Sequence, residues 1–273
     1  MRHTHVGRPR RLRCFCLAAA LIFCGSSLAL AAPGQAPLHP STQAPLSTQG
    51  PVRDFMFGRP RGWVSLRGSW LMPAERGELF AFVSDQLTVD KGDFRSAAFT
   101  AETGFALTPR LDAAVGVETG RKSLSSEYRH FIDNKGLPIS QTTNLTQTNI
   151  TGSIRFALLE RGRSISRYAF VPRTITPFVG AGGGLYFYRF RQAGDFVDFV
   201  TQKVFSDTFG SDGWSPSAHV AGGADIRLWR SMYLTTEGRY VWTHGDLGPD
   251  FVDFDGINLN GFRLSTGLSL FFR

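Results

Sequence analysis

The chain has 273 residues, of which 42% are hydrophobic and 19% are charged, which excludes a disordered or highly charged protein. Its formal charge of +8 is concentrated at the start, because residues 1–31 hold five arginines and no acidic residue. The remaining 242 residues carry 25 basic against 22 acidic side chains. This near balance leaves no basic surface that would neutralise phosphates, so we predict no nucleic-acid partner.

The first 31 residues follow the plan of a secretory signal peptide. Five arginines precede the apolar run 14–24, and small residues then lead to Ala29-Leu30-Ala31. This order of charged, apolar and small residues predicts export, with cleavage after Ala31. The alternative, an uncleaved membrane anchor, is disfavoured because the apolar run is shorter than the roughly 20 residues that a spanning helix needs.

A proline-rich segment follows the predicted signal peptide. Residues 32–61 hold six prolines among Ala, Gln, Ser and Thr, with few large apolar residues. Such a segment cannot bury a core, so we predict a mobile tether. All three cysteines precede it, at residues 14, 16 and 24, so the exported chain is expected to hold neither a disulfide nor a thiolate zinc site.

From residue 62 onward, apolar and polar residues alternate with a period of two. Eight segments of about ten residues or more have one apolar and one polar face, which is the pattern of half-buried antiparallel strands. They are 63–72, 98–107, 111–120, 146–158, 178–190, 216–228, 232–242 and 260–272. Long connections at 73–93, 123–143, 192–213 and 244–258 alternate with tight ones at 108–110 and 229–231; the connection at 159–175 is long where a short one is expected. A short helical segment is predicted at 78–83.

The polar faces distinguish a membrane barrel from a soluble barrel or sandwich. Arginines and acids occur on them in equal number, at Arg67, Glu102, Asp112, Glu118, Arg155, Asp225, Arg227, Glu237, Arg239 and Arg263. A closed interior requires this balance, because a buried charge is tolerable only when it is paired. Gly180, Gly182 and Gly184 share one face and are predicted to leave room for long side chains from other strands. The pattern favours an all-β fold, an eight-stranded antiparallel up-and-down transmembrane β-barrel over 62–273.

Aromatic residues near the strand ends fit the interfacial girdles of such a barrel. They are Trp63, Trp70, Tyr188, Trp229, Tyr233, Tyr240 and Trp242. We therefore predict that their side chains point outward, toward the membrane surface.

The eight strands, their loop order, the glycine-rich segment 176–184 and the aromatic last strand together resemble the outer-membrane β-barrel superfamily of Gram-negative bacteria, in its small eight-stranded class. The resemblance implies an integral protein of the cell outer membrane with both termini in the periplasm. It implies outer-membrane lipid and lipopolysaccharide as surroundings, and the barrel-assembly machinery and periplasmic chaperones as partners. It also implies that the last strand carries an assembly signal, formed by Phe262, Leu264, Leu268, Leu270 and Phe272.

The superfamily hosts several activities, so two classes of function stay open. We predict a non-enzymatic role, in envelope structure, in binding an unknown surface ligand or in limited small-solute passage. The alternative is a lipid-modifying acyl hydrolase or transferase that uses His219, with Ser217 two residues away and Glu237 on the next strand. No nucleophile elbow or metal-binding motif accompanies them, so we expect no metal and no cofactor. Eight strands enclose space for side chains only, so no open pore is expected.

Two of the long connections contain the same pentapeptide, Asp-Phe-Val-Asp-Phe, at 195–199 and 250–254. Alternating acids and aromatics fit three roles: paired strands that extend the barrel, a cap on its mouth, or a surface that binds a partner.

Overall fold

The computed structural model describes residues 55–273 except 75–76, 134–135, 199–200, 202 and 252–253. The predicted signal peptide, and the predicted tether up to residue 54, lie outside the described residues. The end of the tether is described, and there Met56–Phe57 forms a two-residue strand that pairs with Phe170 and Ala169. The structure therefore begins before the barrel, with a short strand bound to the connection that follows the fourth barrel strand.

Eight antiparallel strands form the wall of the barrel. They are β1 (Gly62–Pro73), β2 (Ser96–Ala106), β3 (Leu111–Ile132), β4 (Pro138–Ala157), β5 (Ile175–Val197), β6 (Val204–Arg227), β7 (Met232–Gly245) and β8 (Gly261–Phe272). Each strand pairs with the next along the chain. The pairing of β8 with β1, which runs from Gly261↔Pro73 to Phe272↔Gly62, closes the ring. The predicted eight-stranded up-and-down β-barrel is confirmed.

Short elements occupy the connections between the barrel strands. Helix α1 (Glu78–Gln86) and a 3-10 turn (Lys91–Phe94) lie between β1 and β2. Short strands Gly162–Ser164 and Ala169–Pro172 follow β4, and a 3-10 turn (Pro249–Phe251) and the strand Ile257–Asn258 follow β7. No helix in the described part of the chain is long and apolar enough to cross a membrane.

The two ends of the barrel differ in length. The terminal end holds Gly62, Phe272 and the tight turns after β2 and β6. At the extended end β3–β6 run well beyond the other strands, and β5 still pairs with β6 at Val197↔Val204. The connections predicted at 123–143 and 192–213 are therefore largely strands, contrary to the prediction. Ser, Thr, Asp and Gly are frequent in these segments, and apolar residues such as Leu124, Phe196 and Phe209 are too scattered to mark one continuous apolar face in the sequence.

The outer surface of the barrel is apolar near the terminal end. Exposed outward side chains there include Val64, Leu66, Phe99, Phe105, Val115, Val117, Ile150, Ile154, Leu185, Val220, Leu264 and Leu268. Toward the extended end the outward residues become polar, as at Arg121, Arg189 and Asp212. An apolar band about ten residues high on tilted strands matches the roughly 25 Å apolar band of transmembrane barrels. We call this band the apolar belt.

The aromatic residues assigned to girdles divide between the two faces. Trp70, Trp229 and Trp242 are exposed, as predicted. Trp63, Tyr188 and Tyr233 are buried inside the barrel, so the prediction is wrong for these three. The cause is their parity on the strand: Trp63 lies on the same face as Ser65 and Arg67, and that face points inward.

The closed ladder gives a first testable expectation. The folded protein should migrate differently on a gel before and after boiling, because a ring without an unpaired edge resists unfolding by detergent. The measurement is gel migration of the purified full chain in a mild detergent, with a boiled aliquot as control. Identical migration of the two samples would contradict a closed barrel.

Candidate functional site

Among the described residues, most buried charged side chains lie inside the barrel. The layer of side chains nearest the terminal end closes that end. Trp63, Tyr233 and Phe271 pack together there, with ring centroids of Tyr233 and Phe271 4.5 Å apart. Asp112 accepts a hydrogen bond of 3.0 Å from Trp63 Nε1. Both oxygens of Asp112 also bind the guanidinium of Arg161, with Nη1 and Oδ1 2.7 Å apart. This bidentate geometry fixes Arg161 across the terminal opening.

Arg161 belongs to the buried charges but was not among the predicted ones. It lies in the connection predicted at 159–175, and its side chain is nevertheless almost fully buried. No long alternation surrounds it, because Arg161 lies between the end of β4 and the three-residue strand Gly162–Ser164. A lone arginine in an irregular segment therefore carries no signal that would place it inside the barrel.

Further from the terminal end, the guanidinium group of Arg155 packs between two aromatic rings. The Arg155 guanidinium carbon lies 3.7 Å from the centroid of the Phe178 ring and 4.4 Å from that of Trp63. The same guanidinium is 3.3 Å from Asp225, which also accepts a 2.7 Å hydrogen bond from Thr235 Oγ1. Ring faces and a carboxylate together balance the charge of this buried cation, whose Nε has no hydrogen-bond partner among the described residues.

Four charged side chains form a closed network at the centre of the barrel. Arg67 lies 2.6 Å from Glu102 and 3.3 Å from Glu237. Arg239 lies 2.8 Å from Glu237 and 3.5 Å from Glu102. Each arginine therefore contacts both glutamates, and all four side chains are at most 7% exposed. Such a network is tolerable in a dry interior because every charge has two opposite neighbours.

A second pair extends the network toward the extended end. Arg263 forms an ion pair with Glu118 and donates a 3.1 Å hydrogen bond to the Tyr186 hydroxyl. Glu118 also accepts a 3.2 Å hydrogen bond from Thr100 Oγ1, which in turn lies 2.6 Å from Ser69 Oγ. Hydroxyl groups thus occupy the carboxylate lone pairs that the arginines leave free.

The structure brings nine of the ten predicted interior charges into this buried region. Arg67, Glu102, Asp112, Glu118, Arg155, Asp225, Glu237, Arg239 and Arg263 are all less than 9% exposed. Arg227, the last residue of β6, is only half-buried, because the strand ends at the mouth of the barrel. With Arg161 included, each of the five buried acids contacts an arginine.

The glycines of β5 have a different steric role from the one predicted. A Cβ on Gly184 would overlap the Ile150 carbonyl oxygen and lie 2.8 Å from the Thr151 Cα. A Cβ on Gly182 would overlap the neighbouring backbone and lie 2.7 Å from the His219 ring. The missing side chains therefore allow the close approach of β4 to β5 and make room for a histidine. Only Gly180 lies beside a long charged side chain, that of Arg155, as the prediction had it.

The proposed catalytic set is buried but is not assembled as a triad. The Ser217 hydroxyl donates to Asn149 Oδ1 at 3.0 Å rather than to His219. Glu237 is held by two arginines, and the His219 ring nitrogens have no hydrogen-bond partner among the described residues. Catalysis by such a set requires a nucleophile bonded to its base and a base bonded to its acid, and neither contact is present in the described part of the chain.

Above the charges, an apolar core closes the extended end. Helix α1 contributes Leu79, Phe80 and Val83, which pack on strand residues and on the connection after β7. The buried members of this outer core are Leu79, Phe80, Val83, Leu87, Val89, Phe94, Leu145, Tyr186, Tyr188, Phe190, Phe251, Ile257 and Leu259. The Phe80 and Phe94 rings meet edge to face at 5.0 Å. Buried side chains therefore occupy the barrel at the terminal end, at its centre and at the extended end.

The two copies of the repeated pentapeptide have different structures. Asp195 and Phe196 belong to β5 and pair with Ser206 and Phe205, so the first copy extends the barrel wall. In the second copy Phe251 lies in a 3-10 turn and packs into the outer core, so this copy caps the mouth. Residue 199 of the first copy and residues 252–253 of the second lie outside the described residues.

The residues assigned to the assembly signal share one face of β8. Phe262, Leu264, Leu268, Leu270 and Phe272 all point outward and are 44–54% exposed. They form one edge of the apolar belt, beside the seam with β1. No group of three or more potential metal ligands comes together within the described residues.

No protein-family model matches the chain, and a search of curated protein sequences finds no significant match. The solved structures to which it is similar include Neisserial surface protein A, with 14% identity over 77% of this chain and 97% of that chain and a TM-score of 0.43. Another is the outer membrane protein OprG from Pseudomonas aeruginosa, with 9% identity, coverage of 79% and 98%, and a TM-score of 0.43. A third is Ail, the attachment invasion locus protein of Yersinia pestis, with 10% identity, coverage of 79% and 100%, and a TM-score of 0.39. With its closed ring of eight strands, apolar outside and charged inside, the chain has the fold of the small outer-membrane β-barrel proteins.

Proposed function

We propose that the protein is an integral outer-membrane barrel that conducts no solute and acts at the cell surface without catalysis. One observation carries this proposal: the barrel has an apolar outer belt, while buried side chains occupy its lumen at the terminal end, at the centre and at the extended end. The proposed orientation puts the terminal end in the periplasm and the extended end outside the cell. Lipopolysaccharide is the proposed lipid partner of the apolar belt, and the barrel-assembly machinery is the proposed partner during assembly.

The filled lumen argues against solute passage as the main role. Three layers lie in series: the Trp63 cluster with Arg161, the central charges, and the outer apolar core. A solute that crosses the barrel would have to displace all three. Moving the central arginines away from their glutamates would leave buried charges unpaired, which costs several kcal/mol each.

The extended end supports a role at the surface. There β3–β6 rise above the apolar belt and carry polar outward residues such as Arg121 and Arg189. The outer core inside this extension packs the strands against helix α1. A surface that is held by its own core loses little conformational entropy on binding, which favours recognition of a partner.

A non-enzymatic role follows from the same arrangement. The hydroxyl of Ser217 and the ring of His219 lie inside a filled barrel, where a lipid acyl chain has no access to them. We therefore propose that the mass spectrum of lipid A is the same with and without the protein.

The proposed orientation can be tested with two single cysteines. All three natural cysteines lie in the predicted signal peptide, so Ser125→Cys at the extended end and Ser164→Cys at the terminal end introduce unique exposed thiols. In intact cells a membrane-impermeant maleimide should label Ser125→Cys and leave Ser164→Cys unlabelled. In lysed cells both should react, which controls for thiol accessibility. Equal labelling of both in intact cells, or labelling of Ser164→Cys alone, would contradict the proposed orientation.

A further inference from the structure

We propose that the extended end holds a binding site for a small uncharged aromatic molecule with a hydrogen-bond donor, such as a phenol. The site is a cavity of about 200 Å³ between helix α1 and the extensions of β3–β6. It lies apart from the charged interior and goes beyond the proposed surface role, which does not require a small ligand.

The walls of this cavity, which we call the outer cavity, are largely aromatic. Phe82 and Val83 of α1 face Phe196, Phe205 and Phe209 of β5 and β6 across it. The Phe196 ring meets Phe209 edge to face at 4.7 Å and Phe205 at 6.0 Å. Ring edges and faces are therefore presented together, which is the arrangement that a further aromatic ring packs against.

One polar group in the wall lacks a partner. Gln141 of β4 is only 4% exposed and lines the outer cavity, and its Oε1 has no hydrogen-bond partner among the described residues. A buried carbonyl oxygen without a donor is costly, and most such groups in folded proteins are satisfied. The Tyr128 hydroxyl is hydrogen-bonded to the Gln141 side chain and to the Val197 backbone, so Oε1 is the one atom of the Gln141 amide without a partner among the described residues. Burial raises the pKa of the Tyr128 phenol, so it stays neutral. A ligand that donates a hydrogen bond to Gln141 would remove the cost.

The charge of the cavity selects an uncharged ligand. Among the described residues that line it, Asp250 at the rim is charged, and none is a lysine or arginine. The Asp250 carboxylate accepts a 2.9 Å hydrogen bond from the Gly210 backbone and is otherwise exposed to solvent. An anionic ligand such as a fatty-acid carboxylate would leave water and find no cation among the described residues inside. Because solvent screens Asp250, it also gives little attraction to a cation.

The size of the cavity restricts the ligand to one or two rings. An apolar protein cavity of about 150 Å³ is known to hold benzene, and the outer cavity is somewhat larger. Ordinary drug-sized ligands occupy pockets of roughly 300–1,000 Å³. The chain of a lipid is therefore too large to be enclosed, whereas a naphthol or a substituted phenol fits.

Three probes of one ring system test the proposal on the folded full chain in detergent. 1-Naphthol has a hydroxyl group that can donate a hydrogen bond, and 1-methoxynaphthalene has no such donor. 1-Naphthoate carries a negatively charged carboxylate in place of the hydroxyl. Binding is measured by the fluorescence of each probe, with protein-free micelles as the reference. We expect saturable binding of 1-naphthol, with 1-methoxynaphthalene about five- to tenfold weaker, as the loss of one hydrogen bond to a buried acceptor implies. Binding of 1-naphthoate should be weaker still.

Three variants locate the binding, with gel migration before boiling as a check that each variant folds. Gln141→Leu should remove the preference for 1-naphthol over 1-methoxynaphthalene while both still bind. Val83→Trp should fill the cavity and abolish binding of both probes. Gln147→Leu is the control, because Gln147 is a buried glutamine on the same strand that does not line the cavity. It should bind 1-naphthol as the wild type does.

Specific outcomes would overturn the proposal. The proposal is wrong if 1-naphthoate binds as tightly as 1-naphthol, or if no probe binds saturably beyond its uptake by micelles. It is also wrong if the folded Val83→Trp variant binds 1-naphthol as the wild type does, or if Gln141→Leu still prefers 1-naphthol over 1-methoxynaphthalene. None of these results bears on the orientation or the filled lumen, so the proposal on the outer cavity can fail while the proposed function stands.

Discussion

Replacement of Glu237 by leucine is expected to lower the free energy of unfolding by about 3–5 kcal/mol, the range measured when one partner of a buried ion pair is removed. Glu237 lies 3.3 Å from Arg67 and 2.8 Å from Arg239, and all these side chains are almost fully buried. Without it, two guanidinium groups share the single carboxylate of Glu102. Leucine has a similar volume, so the loss of charge pairing rather than of packing dominates.

The measurement is equilibrium unfolding in urea of the barrel in lipid vesicles, followed by gel migration. Thr236→Leu is the matched control, because Thr236 is adjacent and points toward the apolar belt; it should change stability by no more than about 0.5 kcal/mol. The double variant Glu237→Leu with Arg239→Met should recover most of the loss, since Arg67 and Glu102 remain paired at 2.6 Å. Equal stability of Glu237→Leu and Thr236→Leu would show that the central network is not dry.

Replacement of Gly184 by valine is expected to prevent most of the chain from folding. A Cβ at this position overlaps the Ile150 carbonyl oxygen on the neighbouring strand, and backbone cannot rotate away as a side chain can. Overpacking of a core commonly costs about 1–3 kcal/mol, and a clash with backbone belongs at or above the upper end of that range. To relieve it, β4 and β5 would have to separate, which breaks the hydrogen bonds of the ladder.

The control for this variant is Gly152→Val on β4. Gly152 points outward, and a Cβ there would meet nothing within 4 Å. Valine is also a better strand residue than glycine and would add to the apolar belt. The fraction of each protein that shows the folded gel migration in isolated membranes measures the difference. Comparable folded fractions for the two variants would contradict the close approach of β4 and β5.

The alternation of the sequence was sufficient to predict the barrel and the direction of its charged side chains. Residues such as Glu102 and Arg239 alternate with apolar neighbours over whole strands, so their common face follows from the geometry of a strand. Trp63 and Tyr233 follow the same rule, but aromatic residues at strand ends occur both in girdles and in interiors. Residue type was given more weight than parity, and this caused the error.

Other features depend on contacts that no local pattern encodes. Arg161 enters the barrel from an irregular connection, and its partner Asp112 lies 49 residues earlier in the chain. The outer cavity is lined by residues 82–87 and by residues from Gln192 onward, more than 100 residues later, so its shape cannot be predicted from any one segment. The extensions of β3–β6 were not predicted because polar residues interrupt the apolar positions along them, which weakens the contrast on which strand prediction depends.

The central claim is that a membrane-spanning barrel has a lumen sealed by side chains, and electrical recording tests it most directly. Purified, folded protein is reconstituted into a planar lipid bilayer, with insertion confirmed on vesicles from the same preparation by gel migration before boiling. The balanced central charges and the two apolar layers that enclose them predict no stable conductance steps across the bilayer. A steady conductance of the size seen with porins, present whenever folded protein is inserted, would contradict the sealed lumen.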